Sequence, residues 1–438
     1  MPTAIEIFKH LPKKNCGECK HPTCLAFAMA LANNKAKLED CPHVSEQGKA
    51  ALSASSAPPM KLVKLGAGRR MLEVGDETEL YRHEKKFFHP TRYCLEISDR
   101  MSAAEIDTFL DGFRRLRFER VGQMMELDMV GIVNEGSGED FAKAAAYLGE
   151  SVDHPIALFS SSPERMDQAA KALAGKAPLL HAANAQNLEA MCKVARENKC
   201  PLVLAEKDLN SLAGMAEKAR AAGVDDLVLD FECASLKELL EKSSILRRIS
   251  VKKVFRGLGY PIFVRAGAGR DAVLRAEVAT MKYGSVVSFA ALKGEEAYAL
   301  FVLRQNIFTD PQVPIQVRPE LYTIGIPGPN APVLFTTNFS LTYFTVVADV
   351  EKSKVPCYLL VVDTEGLSVL TAFAAGKLSS EGVQKALDKA GVKAKTAGPL
   401  IIPGMVARMA PKLGELTGMK VIVGPKESSG LPKFLRQV

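Results

Sequence analysis

From residue 62 to about residue 315, apolar runs of strand length alternate with amphipathic segments of helix length. There are eight runs, which favours a closed (β/α)8 TIM barrel, and a doubly wound open sheet is the alternative. No phosphate-binding glycine fingerprint opens the first crossover, which also favours the barrel. The runs are YCLEIS (93–98), LDMVGIV (127–133), PIALFS (155–160), PLLHAA (178–183), PLVLAE (201–206), DLVLDF (226–231), PIFVRA (261–266) and SVVSFA (285–290).

A proline-rich segment at residues 309–332 ends the predicted barrel domain, residues 62–315. The remainder, residues 316–438, reads as a smaller α/β domain with a Rossmann-like open parallel sheet. In such a sheet a ligand binds in the loops at the carboxyl ends of the strands. Its predicted strands are residues 332–337, 343–350, 357–366, 399–404 and 419–425.

Four cysteines near the N-terminus, Cys16, Cys19, Cys24 and Cys41, have the spacing C-x2-C-x4-C-x16-C. Four thiolates converging from a tight loop and the end of a helix can bind structural zinc or a [4Fe–4S] cluster. A zinc ribbon usually has two similar C-x2-C knuckles, whereas this segment has one. The asymmetry favours iron–sulfur, and we expect a small [4Fe–4S] domain at residues 1–47.

Residues 48–61 are rich in alanine, serine and proline, which is typical of a flexible linker. As a coil, this length reaches roughly 20 Å, so the cluster domain is expected to swing towards a target and away again.

Five further cysteines are scattered singly among apolar residues, which indicates buried core thiols rather than ligands or disulfides. No secretory signal is evident, so we expect the reducing cytoplasm. These cysteines are Cys94, Cys192, Cys200, Cys233 and Cys357.

The net charge of +7 is mild, and the Lys/Arg clusters have no aromatic residues between them, so we expect no nucleic-acid partner. No run of 18 apolar residues exists, and we expect no membrane span.

Hydroxyl, amide and glycine residues recur at or just after the predicted strand ends of the C-terminal domain. There they suit a polar cofactor that carries amides and a phosphate, although each residue alone is equally typical of a helix cap or turn. All seven histidines fall at or before His181, so no histidine of this domain can ligate the cofactor. The candidates are Thr336, Thr337, Asn338, Thr342, Gly366, Ser368, Thr371, Gly404 and Gly424.

Three motifs together, NCGECKHPTCLAFA with Cys41-Pro42, YRHEKKFFHP, and DTEGLSVLTAFAAGK, resemble the large (gamma) subunit of the corrinoid iron–sulfur protein of the acetyl-CoA (Wood–Ljungdahl) pathway. The resemblance implies that the four cysteines bind [4Fe–4S] and that the central barrel is similar to pterin-methyltransferase barrels. It implies a cobamide in the last domain, against Thr336, Thr342, Gly366, Leu367, Ser368, Val369 and Thr371.

The function implied by the resemblance is that of a methyl carrier. A methyltransferase moves the methyl group of methyltetrahydrofolate onto Co(I), and the carrier delivers it to acetyl-CoA synthase. The implied assembly is a heterodimer with a smaller barrel subunit. The cluster reduces inactive Co(II), an electron transfer that low-potential clusters can perform.

Many corrinoid carriers place a histidine under the cobalt through a D-x-H-x-x-G motif. The nearest segment here is Asp363-Thr-Glu-Gly366, which has no histidine. We therefore expect a cobalt without a protein imidazole, and easier reduction to Co(I).

Two alternatives remain open at the level of the sequence. In the first, the barrel is itself a pterin-dependent methyltransferase with a structural cluster, and Asn134, Glu206, Asp230 and Glu232 are its candidate polar groups. In the second, the chain is a simple iron–sulfur electron-transfer protein.

Overall fold

The computed structural model describes residues 4–32, 36, 38–45, 48 and 58–438. In chain order the strands are β1 (Val63–Leu65), β2 (Leu72–Val74), β3 (Arg92–Ser98), β4 (Arg117–Arg120), β5 (Gln123–Glu126), β6 (Met129–Val133), β7 (Ile156–Phe159), β8 (Leu179–Ala183), β9 (Leu202–Ala205), β10 (Leu227–Asp230), β11 (Ile262–Gly267), β12 (Gly284–Phe289), β13 (Leu321–Ile324), β14 (Val333–Thr337), β15 (Cys357–Val362), β16 (Leu400–Ile402) and β17 (Val421–Val423).

The α-helices are α1 (Ala4–Lys9), α2 (Cys24–Ala32), α3 (Ala103–Arg115), α4 (Gly138–Ser151), α5 (Pro163–Ala172), α6 (Leu188–Asn198), α7 (Leu209–Ala221), α8 (Leu236–Lys253), α9 (Arg270–Met281), α10 (Gly294–Phe308), α11 (Ser340–Ser353), α12 (Val369–Ala374), α13 (Ser380–Lys389), α14 (Val392–Lys395), α15 (Ala410–Thr417) and α16 (Leu431–Leu435). Short 3-10 turns lie at Leu38–Asp40, Gly68–Arg70, Arg256–Leu258, Gly404–Met409 and Ser428–Gly430.

The central strands form a closed barrel in the order β3-β6-β7-β8-β9-β10-β11-β12, with β12 paired to β3. All eight pairings are parallel, and each predicted apolar run overlaps one of these strands. The prediction of a (β/α)8 barrel is therefore confirmed. Its interior is filled by apolar side chains from the strands, among them Cys94, Met129, Ala157, Val203, Val228, Phe263 and Val286.

Several barrel helices begin directly after a serine or aspartate cap, which explains why each strand leads into a helix there. Ser102 and Ser137 form capping boxes with Glu105 and Asp140. Such a cap satisfies backbone N–H groups that the first helical turn leaves without partners, and it contributes about 1 kcal/mol. Ser162, Asp208 and Ser235 cap α5, α7 and α8 in the same way.

The C-terminal strands form an open sheet in the order β13-β15-β14-β16-β17. Only β13 runs antiparallel, and the other pairings are parallel, so the expected Rossmann-like α/β sheet is present with one antiparallel edge strand. Apolar clusters cover both faces, one around Val333, Phe335 and Leu360, the other around Leu334, Leu359 and Val361. Parallel strands buried on both faces read as continuous apolar runs, as this sequence does.

One predicted strand of this domain is wrong, because residues 343–350 lie in α11. The run YFTVVADV is rich in β-branched and aromatic residues, which favours a strand. Its buried positions Tyr343 and Val350 are seven residues apart, however, and therefore share one face of a helix. The strand β13 lies instead within the proline-rich segment that was assigned to a connection.

By its contacts the chain divides into two units with interleaved sequence. The second unit contains residues 309–438 and also two excursions from the sequence of the barrel, Arg82–Lys86 and Arg117–Glu126. The longer excursion is the antiparallel hairpin β4–β5. At its turn, a Cβ on Gly122 would collide with the ring of Phe344 in α11, so the hairpin packs closely on that helix.

The predicted linker is described only in part, since residues 49–57 lie outside the described residues. Its last residues, 58–61, lie against the barrel rather than free of it. Met60 is buried, and the backbone N–H of Lys61 donates to the carbonyl of Gly259 over 2.8 Å. Arg256 also donates to the carbonyl of Pro58. Any flexible tether is thus shorter than the composition suggests.

Candidate functional site

The four N-terminal cysteines lie on two loops and one helix end. Cys16 and Cys19 belong to the loop before α2, Cys24 is the first residue of α2, and Cys41 follows the 3-10 turn Leu38–Asp40. The Asn15 carboxamide oxygen accepts the Cys24 backbone N–H over 2.8 Å, which fixes the loop to the start of the helix.

Three of the four thiols are buried, and the fourth is exposed. Cys19, Cys24 and Cys41 pack in one apolar cluster with Phe27 and its neighbours, whereas Cys16 is exposed. A metal centre held by these residues would be shielded on three sides and open to solvent at Cys16. The donor set is all thiolate, the set that iron–sulfur clusters use.

The spacing of the donor atoms argues against a single zinc ion. A tetrahedral zinc with zinc–sulfur bonds of about 2.3 Å brings its four sulfurs within about 4 Å of one another. Among the described residues, the potential ligand atoms that lie within 4.8 Å of one another belong to Cys16, Glu18 and His43, a group with only one of the four cysteines. The four cysteine sulfurs are therefore not gathered around one point in this structure.

Four of the other five cysteines are buried, as their scattered positions predict, and Cys233 is only half-buried. Burial raises the pKa of Cys200, Cys233 and Cys357 to about 12, and it also raises the pKa of Cys94 and Cys192. A thiol whose pKa is raised by burial is a poor nucleophile and a poor metal ligand at neutral pH.

A cavity of about 380 Å³ opens in the C-terminal unit, beside the carboxyl ends of β14 and β16. Of the candidate residues, Thr336, Thr342, Ser368, Val369 and Gly424 line it. This position at the strand ends is where open α/β sheets bind ligands. The volume lies at the low end of the range for small-molecule sites, so the cavity suits one arm of a large cofactor rather than the whole.

Three hydroxyl groups at the end of β14 and the start of α11 have no partner. Thr336 Oγ1, Thr337 Oγ1 and Ser340 Oγ are buried and make no hydrogen bond within the described part of the chain. A buried hydroxyl without a partner costs about 1–3 kcal/mol, so such groups are uncommon unless a ligand or water completes them. Thr336 is itself a wall of the cavity. These residues therefore fit a cofactor arm that offers hydrogen-bonding groups.

Asn338 holds the next loop rather than lining the cavity. Its Oδ1 accepts the backbone N–H groups of Thr364 and Gly366, each over 3.0 Å, and also the Thr364 hydroxyl. Its Nδ2 donates to Asp363 over 2.9 Å and to Gln316 over 3.1 Å. All the hydrogen-bonding capacity of this side chain is used to shape the loop that leads to Ser368.

The remaining candidates lie around the cavity without lining it. Gly366 has a φ of +77°, and a Cβ there would approach Gln316 Cγ to 2.8 Å. Leu367 packs on the core of the sheet, and Thr371 shares a 3.0 Å hydrogen bond with Ser368. At Gly404 a Cβ would lie 2.6 Å from the Gly424 carbonyl oxygen, so this glycine permits the close approach of two backbones.

Part of the cavity wall was missed from the sequence. One face of α11 contributes, because Leu341, Thr345 and Val346 lie beside Thr342, and this segment was predicted as a strand. The loop after β17 contributes four consecutive residues, which the rule of strand ends would have found if extended past Gly424. With the four residues of this loop included, the missed lining residues outside α11 are Leu334, Phe335, Leu370, Ile401, Ile402, Pro403, Met405, Pro425, Lys426, Glu427, Ser428 and Leu431.

Asp349 fastens the loop after β17 to α11. It accepts hydrogen bonds from Lys352 Nζ over 2.8 Å and from the Ser428 hydroxyl over 2.7 Å. These two bonds hold the pKa of the Asp349 carboxyl below its usual range. Residue 428 is a wall of the cavity, so this contact helps to set its shape.

The carboxyl ends of the barrel strands also carry polar groups, and these pair with one another. Arg265 makes a two-point contact with Glu96, with Nη2 to Oε2 at 2.7 Å. His181 Nε2 lies 3.0 Å from Asp230 Oδ2.

Of the residues considered for a barrel methyltransferase, all but one serve local contacts. Asn134 donates to Asp99 over 2.7 Å, and Glu206 accepts the backbone N–H of Lys207 over 2.8 Å. Asp230 accepts the backbone N–H of Glu232 over 2.9 Å. The Glu232 carboxylate is the exception, because it makes no hydrogen bond or ion pair among the described residues.

Two family models match the chain. One, described as the CO dehydrogenase/acetyl-CoA synthase delta subunit, matches residues 62–435. The other, "Putative Fe-S cluster", matches residues 11–43, which include all four N-terminal cysteines. The corrinoid/iron-sulfur protein large subunit of Moorella thermoacetica is 43% identical over 438 residues, which cover 99% of this chain and 98% of that protein. The chain belongs to the family of corrinoid/iron–sulfur protein large subunits.

Further relatives of this corrinoid/iron–sulfur large-subunit family are archaeal. The acetyl-CoA decarbonylase/synthase complex subunit gamma of Methanopyrus kandleri is 33% identical over 454 residues, covering 99% of this chain and 97% of that protein. The matching delta-subunit model omits the cysteine module, whereas these large and gamma subunits match along the full length. The full-length matches therefore indicate that the chain corresponds to the large (gamma) subunit.

Among solved structures, dihydropteroate synthase from Thermus thermophilus is similar with a TM-score of 0.39 and 16% identity, covering 55% of this chain and 98% of that one. That likeness is too low to carry an inference. In the described part of this family member, no helix is both long and apolar enough to cross a membrane.

Proposed function

We propose that this chain is a corrinoid methyl carrier of acetyl-CoA synthesis. A methyltransferase loads it from methyltetrahydrofolate, and it delivers the methyl group to acetyl-CoA synthase. A cobamide held in the C-terminal domain would supply the methyl-accepting cobalt, and a [4Fe–4S] cluster held by the four cysteines would supply electrons for its reduction. Its membership of the large-subunit family supports this role, as do the two sites.

The single observation that carries the proposal is the group of unpartnered hydroxyls beside the cavity. Thr336, Thr337 and Ser340 lie at the carboxyl edge of an open sheet, buried and without hydrogen bonds within the described residues. The mainly apolar cavity next to them accepts the tail of the cobamide, with Thr342 and Ser368 also in its wall. Asn338 shapes the loop that presents Ser368.

The C-terminal domain has no imidazole to offer a cobalt. No histidine follows His181 in the sequence. Near the cavity, the side chain of Thr371 is a neutral oxygen donor that is already hydrogen-bonded to Ser368. A hydroxyl of this kind would be a weak donor to a cobalt held nearby.

The cysteine module is proposed to hold [4Fe–4S] through Cys16, Cys19, Cys24 and Cys41. Burial of three of these residues keeps solvent from most of the cluster, and the exposed Cys16 leaves one edge for electron entry. The partners proposed are a smaller barrel subunit in a heterodimer, a methyltetrahydrofolate:corrinoid methyltransferase and acetyl-CoA synthase.

The barrel methyltransferase is the second candidate, and the pairing at the barrel mouth disfavours it. Glu96, Asp99 and Asp230 each have partners inside the barrel, and of the candidate groups only the Glu232 carboxylate is left for a pterin. A methyltransferase site would need such groups directed at its substrate.

Methyl transfer distinguishes these candidates. The purified, cofactor-loaded chain should acquire the methyl group of methyltetrahydrofolate only when a methyltransferase is added. Transfer without any added enzyme supports the barrel as the catalyst and contradicts the carrier. A chain that lacks corrinoid absorbance even after incubation with a cobamide would be a plain electron-transfer protein.

A further inference from the structure

The cysteine module is rich in positive charge. Residues 9–37 contain six lysines and a single acidic residue, Glu18, although the whole chain has a net charge of only +7. Three of these lysines, Lys13, Lys14 and Lys20, flank the exposed Cys16 in the loop before α2. We call these three the lysine face.

The charges of the lysine face are not neutralised locally. Among the described residues, no carboxylate lies within ion-pair distance of Lys13, Lys14 or Lys20. Lys13 has one contact recorded through its ammonium group, with the ring of Phe8 at 5.6 Å. Glu18, the acidic residue between them, lies 3.0 Å from Nε2 of His43.

Lysines on the barrel helices show the contrasting arrangement. Lys143, Lys171 and Lys242 each pair with a carboxylate one helical turn away, with separations of 2.6 Å. Such pairs cancel charge along a solvated surface. The uncancelled charge of the cysteine module therefore creates a local positive potential beside the exposed edge of the proposed cluster.

The loop geometry keeps these lysines near Cys16. The backbone N–H of Lys20 donates to the carbonyl of Gly17 over 2.9 Å, which closes a tight turn directly after Cys16. All residues from Lys13 to Glu18 are exposed. Leu25 and Ile5, on the helices of the same module, are also exposed apolar side chains. Exposed charged side chains of one sign are typical of surfaces that steer the encounter with an oppositely charged partner.

From these observations we propose that the lysine face is the docking surface for an acidic one-electron carrier protein, which delivers its electron to the cluster at the Cys16 edge. This inference rests on the proposed function, because it requires the four cysteines to hold a redox-active cluster. The donor protein is oxidised by one electron and the cluster is reduced by one, with no bond formed or broken. Opposite charges accelerate such encounters by roughly 10- to 1,000-fold at low salt.

The test compares two reductants of the cluster-loaded chain. A K13E/K14E/K20E variant and the wild type are reduced either by an acidic ferredoxin or by photoreduced deazariboflavin, a small neutral donor. Bleaching of the cluster absorbance gives the rate. A K389E/K393E/K395E variant is the matched control, because it changes the net charge equally at exposed lysines of the C-terminal unit.

We expect the reversed lysine face to slow reduction by ferredoxin at least tenfold at low salt and to abolish its salt dependence. Reduction by deazariboflavin should stay within about twofold of wild type, as should both reactions of the control. Equal slowing of the control, or unchanged reduction by ferredoxin, overturns the docking surface.

Failure of the proposed function gives a different result. If deazariboflavin cannot reduce the wild-type cluster, the redox role itself fails. Should the reversed variant not load its cluster, K13Q/K14Q/K20Q replaces it, with a smaller slowing expected in the same direction. Calorimetry at low salt measures the affinity of oxidised ferredoxin for the oxidised chain. This affinity should be weaker for the reversed variant than for the wild type, and an unchanged affinity contradicts the proposal.

Discussion

The closed barrel and the open C-terminal sheet both place polar side chains at the carboxyl ends of parallel strands, but they use these groups differently. In the barrel, Glu96 pairs with Arg265 and His181 with Asp230. In the open sheet, Thr336 and Thr337 are left without partners in the described residues. The barrel thus satisfies its polar groups internally, whereas the open sheet keeps hydrogen-bonding capacity for a ligand.

The barrel has an exception that limits the contrast. Ser288 Oγ, on β12, is buried without a hydrogen bond among the described residues. Arg92 Nε on β3 and Ser243 Oγ on α8 are also buried without a partner among the described residues, but of the three only Ser288 lies near the carboxyl end of a barrel strand. In the open sheet three such hydroxyls lie within five residues of one another, and one is part of a cavity wall. Strand ends alone therefore do not mark a binding site, and unsatisfied groups beside a cavity do.

The largest effect is expected from removing a cluster ligand. This change tests the cysteine module independently of the barrel and the open sheet. Cys19→Ala should abolish iron binding and the EPR signal of the reduced cluster, because a corner of the cluster loses its thiolate. Cobamide binding to the open sheet should persist. The buried thiol Cys357 provides the control, and Cys357→Ala should retain its iron. Retention of a full complement of iron by Cys19→Ala would show that the ligand set is wrong.

The next effect concerns the barrel mouth. Arg265→Met leaves the buried Glu96 carboxylate without its partner, and we expect a loss of about 3 kcal/mol in the free energy of unfolding. Cobamide affinity should not change, because this pair lies in the barrel. Chemical denaturation and cobamide titration measure the two quantities separately. The double variant E96L/R265M is the control and should recover most of the stability, while a large loss of cobamide affinity would break the comparison.

The open sheet should respond in the opposite way. Thr336→Val removes a hydroxyl that has no partner among the described residues, so the stability of the cofactor-free protein should be unchanged or slightly higher. Cobamide binding should weaken about tenfold, because one hydrogen bond to the ligand is lost. Thr345→Val, on the same cavity wall, is the control, since its hydroxyl already donates to the Leu341 carbonyl. Loss of stability without loss of affinity would assign Thr336 to the core alone.

The smallest effect tests how the wall of the cavity is fastened. Asp349→Asn should destabilise the protein by about 1 kcal/mol at pH 7, because the bonds from Lys352 and Ser428 weaken. The folded pKa of Asp349 is lowered, so this stabilisation is present above the unfolded pKa and is lost as pH falls through the folded value. The difference between variant and wild type should therefore shrink below about pH 4. A difference that does not depend on pH would exclude the carboxylate as its cause.

The barrel was predictable because each strand is a short apolar run that leads to a capped helix. The segment Tyr343–Val350 was not, because β-branched residues satisfy a strand pattern and a helix face equally well, and only packing decides between them. The place of the hairpin Arg117–Glu126 in the second unit was not predictable either, because its contacts are with residues distant in sequence.

The rule that ligands bind at the carboxyl ends of parallel strands was enough to find the hydroxyls of the candidate site. It was not enough to predict what each of these hydroxyls does. Sequence alone does not distinguish Asn338, whose side chain is fully used in holding a loop, from Thr336, which has no partner among the described residues. That distinction depends on hydrogen bonds between segments more than 20 residues apart, such as Asn338 with Thr364.

The central claim is that one chain holds a redox cluster in its cysteine module and a cobamide in its open sheet. Its most direct test is the metal content of the protein, purified without oxygen and incubated with a cobamide, measured by mass spectrometry. The account predicts about four iron atoms and one cobalt atom per chain, without stoichiometric zinc. One zinc per chain in place of iron, or iron without cobalt, would contradict it.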